Sequence, residues 1–172
     1  FLLYWGPFLV LLSGSVQSNW GMLGIVVIMG LGLAGIGLSV MHDANHGAYS
    51  NKSWVNNLLG FSLNMVGGNA FNWKVQHNVL HHTYTNIHDV DEDISPRGIL
   101  RMSPHGKWKF IHKFQHWYAW FFYGLMTLVW VSVKDFARLA IYYKDGLVKN
   151  QKTNLAKELT ILVLTKLLYF AY

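Results

Sequence analysis

From Trp20 to Met41 the chain runs 22 residues without one charged side chain. A helix of that length rises about 30 Å, enough to cross the hydrocarbon core of a bilayer. Trp117 to Val133 is a second charge-free run, of 17 residues. Only 13% of the 172 residues are charged and 52% are hydrophobic. Ordinary soluble domains carry about a quarter charged residues, and disordered chains are poorer still in apolar ones. These features predict an all-α fold, an integral-membrane helical bundle with a histidine-rich region on its cytoplasmic side. A single domain is expected over 1–172, with spans at about 1–12 (partial), 20–41, 117–133 and 159–172 (partial). Phe1 opens inside an apolar run, and LTILVLTKLLYFAY at 159–172 stops short of a crossing. The sequence is therefore expected to be an internal fragment.

Between the first two spans, SGSVQSN at 13–19 is an uncharged turn, so 1–41 reads as a tight helical hairpin. Gly30, Gly32 and Gly35 in GLGLAGIG carry the spacing of a dinucleotide-binding loop. That loop needs a strand before it and an acidic residue about 20 further on. Inside an uninterrupted apolar span, small residues that let helices approach closely are the better reading.

From His42 to His116 the chain is polar to amphipathic. WVNNLLGFSLNMVGG at 54–68 is apolar but interrupted by Asn56, Asn57 and Asn64, as in an interfacial or re-entrant helix. Ser95 to Lys113, with Pro96 and Pro104, reads as an irregular surface segment. Seven Lys or Arg lie within 42–116 and none within 13–19, so the positive-inside rule turns the histidine region toward the cytoplasm. The six basic residues of 134–157 run against a simple crossing at 117–133.

All nine histidines fall within 42–116. There is no Cys, which excludes thiolate zinc sites, iron–sulfur clusters and thiolate-bound haem. Glu92 and Glu158 are the only glutamates, too few for a carboxylate-bridged di-iron bundle. Any metal must then rest on imidazole. His42 and His46 stand four apart, as do His77 and His81, so each pair shares a helix face. His82 is rotated 100° from His81 on an α-helix and would reach a neighbouring metal. Asp43, Asn45 and the acids Asp89, Asp91, Glu92 and Asp93 are candidates to hold the outer ring nitrogens, as partners behind metal ligands do. A solvated acidic loop is the alternative for 89–93. His112 and His116 form a further pair four apart, with His116 an additional candidate ligand; His88 and His105 read as surface residues.

His-Asp-Ala-Asn-His at 42–46, closing a span, and His-Asn-Val-Leu-His-His at 77–82 resemble the first two histidine boxes of the integral-membrane fatty acid desaturases. The flanking stretches MHDANHGAYS, WVNNLLGF, GGNAFNWKVQHNVLHHTYTNIHDVDEDI and QHWYAWFFYG are similar to the bacterial linoleoyl-CoA desaturase type, related to front-end desaturases. The resemblance covers essentially the whole sequence. It implies a centre of two non-haem iron ions at the cytoplasmic face, ligated by His42, His46, His77, His81 and His82, and insertion of a double bond into a fatty acyl chain. It also implies a third box, Gln-x-x-His-His, which nothing after His116 supplies, so the fragment by itself is expected to be inactive.

The implied partners are a fatty acyl-CoA or acyl-lipid substrate, dioxygen, the bilayer and an external electron donor of cytochrome b5 or ferredoxin type, since no fused His-Pro-Gly-Gly haem motif occurs. The net charge of +6 suits an anionic membrane surface or an acyl-CoA head group. Aromatic residues lie in the spans and not in a basic groove, which argues against nucleic acid. Trp54, Phe71, Trp73 and Trp117 are candidates to line an acyl tunnel, with belt or core packing the plainer reading of each. A di-iron membrane hydroxylase shares the same opening chemistry. A bis-histidine haem protein would place single histidines near mid-bilayer, and a metal transporter would carry ionisable residues within its spans.

Overall fold

Ser18 opens the long apolar helix by accepting a hydrogen bond from the amide of Gly21 on its side-chain oxygen, the usual duty of a serine N-cap. The computed structural model describes residues 1–94 and 99–172. Its regular structure is all helical, with no strand among the described residues. Ser95 and Pro96 of the expected irregular segment lie outside that description; residues 99–109 of it have no regular structure. The chain divides into two units, Phe1–Val66 and Gly67–Tyr172.

In the first unit, α1 (Leu2–Leu12) packs as a hairpin on α2 (Asn19–Gly35). Gly32 makes that approach possible. A Cβ there would lie 2.7–2.8 Å from the backbone of Leu3 and Tyr4, whereas Gly30 and Gly35 have nothing within 4 Å. The close-packing reading of the glycines therefore holds at one position of the three. A π-helical turn, Ile36–Val40, carries α2 into α3 (Met41–Asn45). The combined helix Asn19–Asn45 is the one helix among the described residues that is long and apolar enough to cross a membrane.

Gly47, at φ +74°, ends that helix. The Gly47 amide bonds Ala44 O and the Ala48 amide bonds Asp43 O, a Schellman motif that reverses the chain just after His46. α4 (Ser53–Met65) then returns against α3, and its polar side faces inward. Asn56 donates to the carbonyls of Gly47 and Ser50 and accepts from the Ser50 amide, so it braces the turn that follows the first histidine pair. Trp54, Leu58, Phe61 and Met65, all exposed, form an apolar stripe on the opposite side. This inverts the usual globular pattern, in which the apolar side of a helix faces inward.

In the second unit, Asn69 caps α5 (Ala70–Trp73), which continues as an eight-residue π-helix, Lys74–His81. After the loop come a 3-10 turn (Phe110–Phe114), α6 (Gln115–Val129), a π turn (Trp130–Lys134), α7 (Asp135–Lys144), α8 (Leu147–Asn150) and α9 (Leu155–Ala171). The expected span 117–133 is helical across α6 and its π turn. It is not among the described helices apolar enough to be a candidate crossing, because tryptophans and tyrosines dilute it and Lys134 and Asp135 follow at once.

Val75, Leu139, Tyr142, Val148 and Leu162 form the core here, with Phe71, Leu80 and Ile141 packed against it. Each fully buried aliphatic side chain contributes about 1.5–3 kcal/mol. Val75 anchors the histidine-bearing helix to α7 and α9. A buried polar cluster supplements this core: Lys166 of α9 donates to Asp135 Oδ2 at 2.7 Å and to the carbonyls of Gly67 and Trp130. Trp130 Nε1 and Asn72 Nδ2 donate to the Asp135 side chain and carbonyl respectively.

Candidate metal centre

The first histidine pair closes the long apolar helix. The His42 and His46 rings meet edge to face, centroids 4.6 Å apart, one helical turn from each other. His42 Nδ1 lies 3.0 Å from Asp43 Oδ1, and both side chains are part-exposed. Asn45 spends its amide nitrogen on the carbonyl of Gly60 and on Met41 sulfur, so it ties α3 to α4.

The second cluster departs from the α-helical expectation. In a π-helix the hydrogen bonds run from i to i+5, so residues five apart stack over one another as well as residues four apart. His82 is accordingly drawn to the same cluster as its two predecessors. The ring centroids of His77 lie 5.2 Å from His81 and 4.8 Å from His82, and His81 lies 5.4 Å from His82. Looser winding turns each residue by about 80° rather than 100°, so His82 still stands on a different face from His81, yet close to His77 one turn back. Trp73 covers the cluster on one side, its ring 4.4 Å from that of His77.

The acidic turn behind these rings is wound around Asp91. Asn86 and Asp89 adopt positive φ (63° and 66°), a conformation that Asn and Asp tolerate better than most residues. Asp91 is fully buried. It accepts hydrogen bonds from His81 Nδ1 at 3.0 Å and from the amides of Asn86 and Asp93. Burial pushes the Asp91 carboxyl up, but the bonds from His81, Asn86 and Asp93 outweigh it and hold the group below the usual carboxylate range. Asp93 Oδ2 stands 3.5 Å from Nδ1 of both His77 and His81, while Gln76 donates to its other oxygen at 2.7 Å. One donor atom each from His77, His81 and Asp93 lies within 4.8 Å of the others.

A proton on His81 Nδ1, shared with Asp91, leaves the lone pair on Nε2, the form in which imidazole binds a metal. Nitrogen and carboxylate oxygen without thiolate form a donor set compatible with iron.

Of the acids at 89–93, Asp91 and Asp93 serve as partners of histidine, and Asp89 is exposed beside His88. Nothing in the local sequence separates these acids from one another. His112 is buried in the 3-10 turn, where its Nδ1 accepts from the Lys109 amide. His116 is exposed at the start of α6 against Trp117. The two are thus on different elements and not on one α-helical face. His88 and His105 border a cavity of about 830 Å³ together with Arg101, Glu92 and Arg138. His105 is exposed, as expected, but His88 is half-buried.

The helices carry clustered imidazoles with a carboxylate beside His42 and two behind His77 and His81. The fatty acid desaturase family model matches residues 18–172, and the chain belongs to that family. It is 41% identical over 109 residues to an sn-1 linoleoyl-lipid 6-desaturase of Arthrospira platensis, covering 63% of this chain and 29% of that protein. An acyl-lipid (8-3)-desaturase of Physcomitrium patens is 35% identical over 147 residues, 84% of this chain and 30% of its own length. An acyl-lipid (7-3)-desaturase of Diacronema lutheri is 44% identical over 92 residues, 54% of this chain and 21% of that protein. The chain thus spans less than a third of the length of these curated relatives. No solved structure matches it.

Proposed function

We propose that the chain is part of an oxygen-dependent fatty acyl desaturase whose His42, His46, His77, His81 and His82 ligate one centre of two non-haem irons. The observation that carries this reading is the buried Asp91 behind His81, which holds the imidazole in the form that binds a metal while its carboxylate also fixes the acidic turn. Membership of the desaturase family and the names of the relatives support an acyl substrate. Iron held there would let dioxygen act as the oxidant: two hydrogens from adjacent methylenes, with two electrons from the external donor and two protons, would take dioxygen to two waters and leave a double bond.

The residues of this chain hold and shield. Asp91 keeps His81 in a single tautomer and orientation, and Asp93 spans His77 and His81. Asp43 does the same for His42. Trp73, stacked near His77, excludes water from that side of the cluster. The single domain expected from the sequence is, on this reading, a membrane-embedded helical bundle. The exposed apolar faces of α2 (Trp20, Leu23, Leu31), α4, α6 (Trp117, Trp120, Phe121) and α9 (Leu164, Leu167, Phe170) favour that solvent, because so much exposed apolar surface is untenable in water. The basic residues within 42–116 favour a cytoplasmic site.

The test is desaturation of an acyl-lipid or acyl-CoA in membranes by the protein at its full natural length, with an electron donor of cytochrome b5 or ferredoxin type. A desaturated product formed by the wild type and lost in His81→Ala supports the reading. Product that persists in His81→Ala contradicts the ligand assignment. A hydroxylated product in place of an alkene would move the protein to the related hydroxylases.

A further inference from the structure

Three consecutive acids in the turn behind the histidines point two ways. Asp91 and Asp93 face the imidazoles, but Glu92 reaches away to α7. Its Oε1 accepts from Arg138 Nη1 at 2.5 Å and its Oε2 from the Tyr142 hydroxyl at 3.1 Å. Tyr142 is 1% exposed and sits in the same core as Val75 of the histidine helix. Burial first, and then the Glu92 charge, raise the tyrosine hydroxyl above its ordinary range, so it stays a donor at any physiological pH.

The first residue of α7 engages the other side of the cluster. The Asp135 carbonyl accepts from Asn72 Nδ2 at 2.7 Å, just before the π winding begins at Lys74. One helix therefore holds the histidine helix through Asn72 and the acidic turn through Glu92. Glu92 is bonded covalently between Asp91 and Asp93, so any shift of its backbone moves both carboxylates against both imidazoles.

We infer that Arg138 and Tyr142 are positioning residues of the metal centre, acting through Glu92 to hold Asp91 and Asp93 in register with His81 and His77. The inference rests on the metal-centre reading above. It assigns these two residues of α7 a role that residue spacing does not show, since they stand 46 and 50 positions from their partner.

The experiment uses the full-length protein in detergent, loaded with ⁵⁷Fe, as wild type and as Glu92→Gln, Arg138→Met, Arg138→Lys, Tyr142→Phe and the Glu92→Gln/Arg138→Met double variant. Iron retained against a graded chelator and the Mössbauer quadrupole splitting of the retained iron are read alongside the melting of the metal-free protein. Glu92→Gln and Arg138→Met should each weaken iron retention by roughly 10-fold or more and alter the splitting, as loss of a group behind the ligands does. Arg138→Lys should recover most of the retention, because the contact uses a single N–H. Glu92→Gln/Arg138→Met should be no worse than the worse single variant, because both changes cut one link. Should Arg138→Met fail to fold, Tyr142→Phe keeps volume and packing and should still show a smaller loss in the same direction. Wild-type retention and splitting in Glu92→Gln and Tyr142→Phe, or losses that add in the double variant, would overturn the inference. Wild-type protein that retains no more iron than His81→Ala would bring down the metal-centre reading itself, and the inference with it.

Discussion

His81 Nδ1 lies 3.0 Å from Oδ1 of Asp91, a carboxylate with no exposed surface. Asp43, the acid beside His42, is by contrast half exposed. A buried carboxylate orients its partner more firmly, because water does not compete for its oxygens.

Asp91→Asn should therefore weaken iron binding about 10–100-fold, and Asp43→Asn less. Iron titration of the two variants checks the order. Equal effects, or a larger one at Asp43, would show that burial is not what makes Asp91 matter.

Lys166 and Asp135 form a buried ion pair between α9 and the start of α7. Lys166→Met leaves Asp135 charged and unpaired and should cost about 3–5 kcal/mol, while Lys166→Met with Asp135→Leu should recover much of that. Thermal unfolding in detergent measures both. A double variant as unstable as the single one would mean that the pair is not the source of the loss.

The hairpin of α1 and α2 makes a sharper demand on one glycine. Gly32→Ala drives a methyl into the backbone of Leu3 and Tyr4 and should destabilise by about 1–3 kcal/mol. Gly30→Ala and Gly35→Ala meet open space and should be neutral or slightly stabilising, since Ala is the better helix former. Comparable losses at all three positions would refute the assigned contact.

The sequence showed the histidine pairs and the long apolar helix directly, because both are local patterns of residue type. It did not show that His77 and His81 lie on a π-helix that ends just before His82. Four-residue spacing suits either winding, and the switch is made by backbone hydrogen bonds that no side-chain pattern encodes. Asp91 and Asp89 look alike along the chain; only the turn made by Asn86 and Asp89 buries one and exposes the other. The links of Glu92 to Arg138 and Tyr142 arise from packing α7 against the acidic turn. Lys166 did carry a signal, since a lone charge in an apolar helix requires a partner. Which partner it takes depends on where α9 packs.

The most direct test of the account is a metal analysis of the full-length protein purified from membranes, paired with His81→Ala. Two equivalents of non-haem iron per chain, no Soret absorption, and loss of iron in His81→Ala with the protein still inserted in the membrane are the predicted result. A haem spectrum, or an iron content that His81→Ala leaves unchanged, would contradict it.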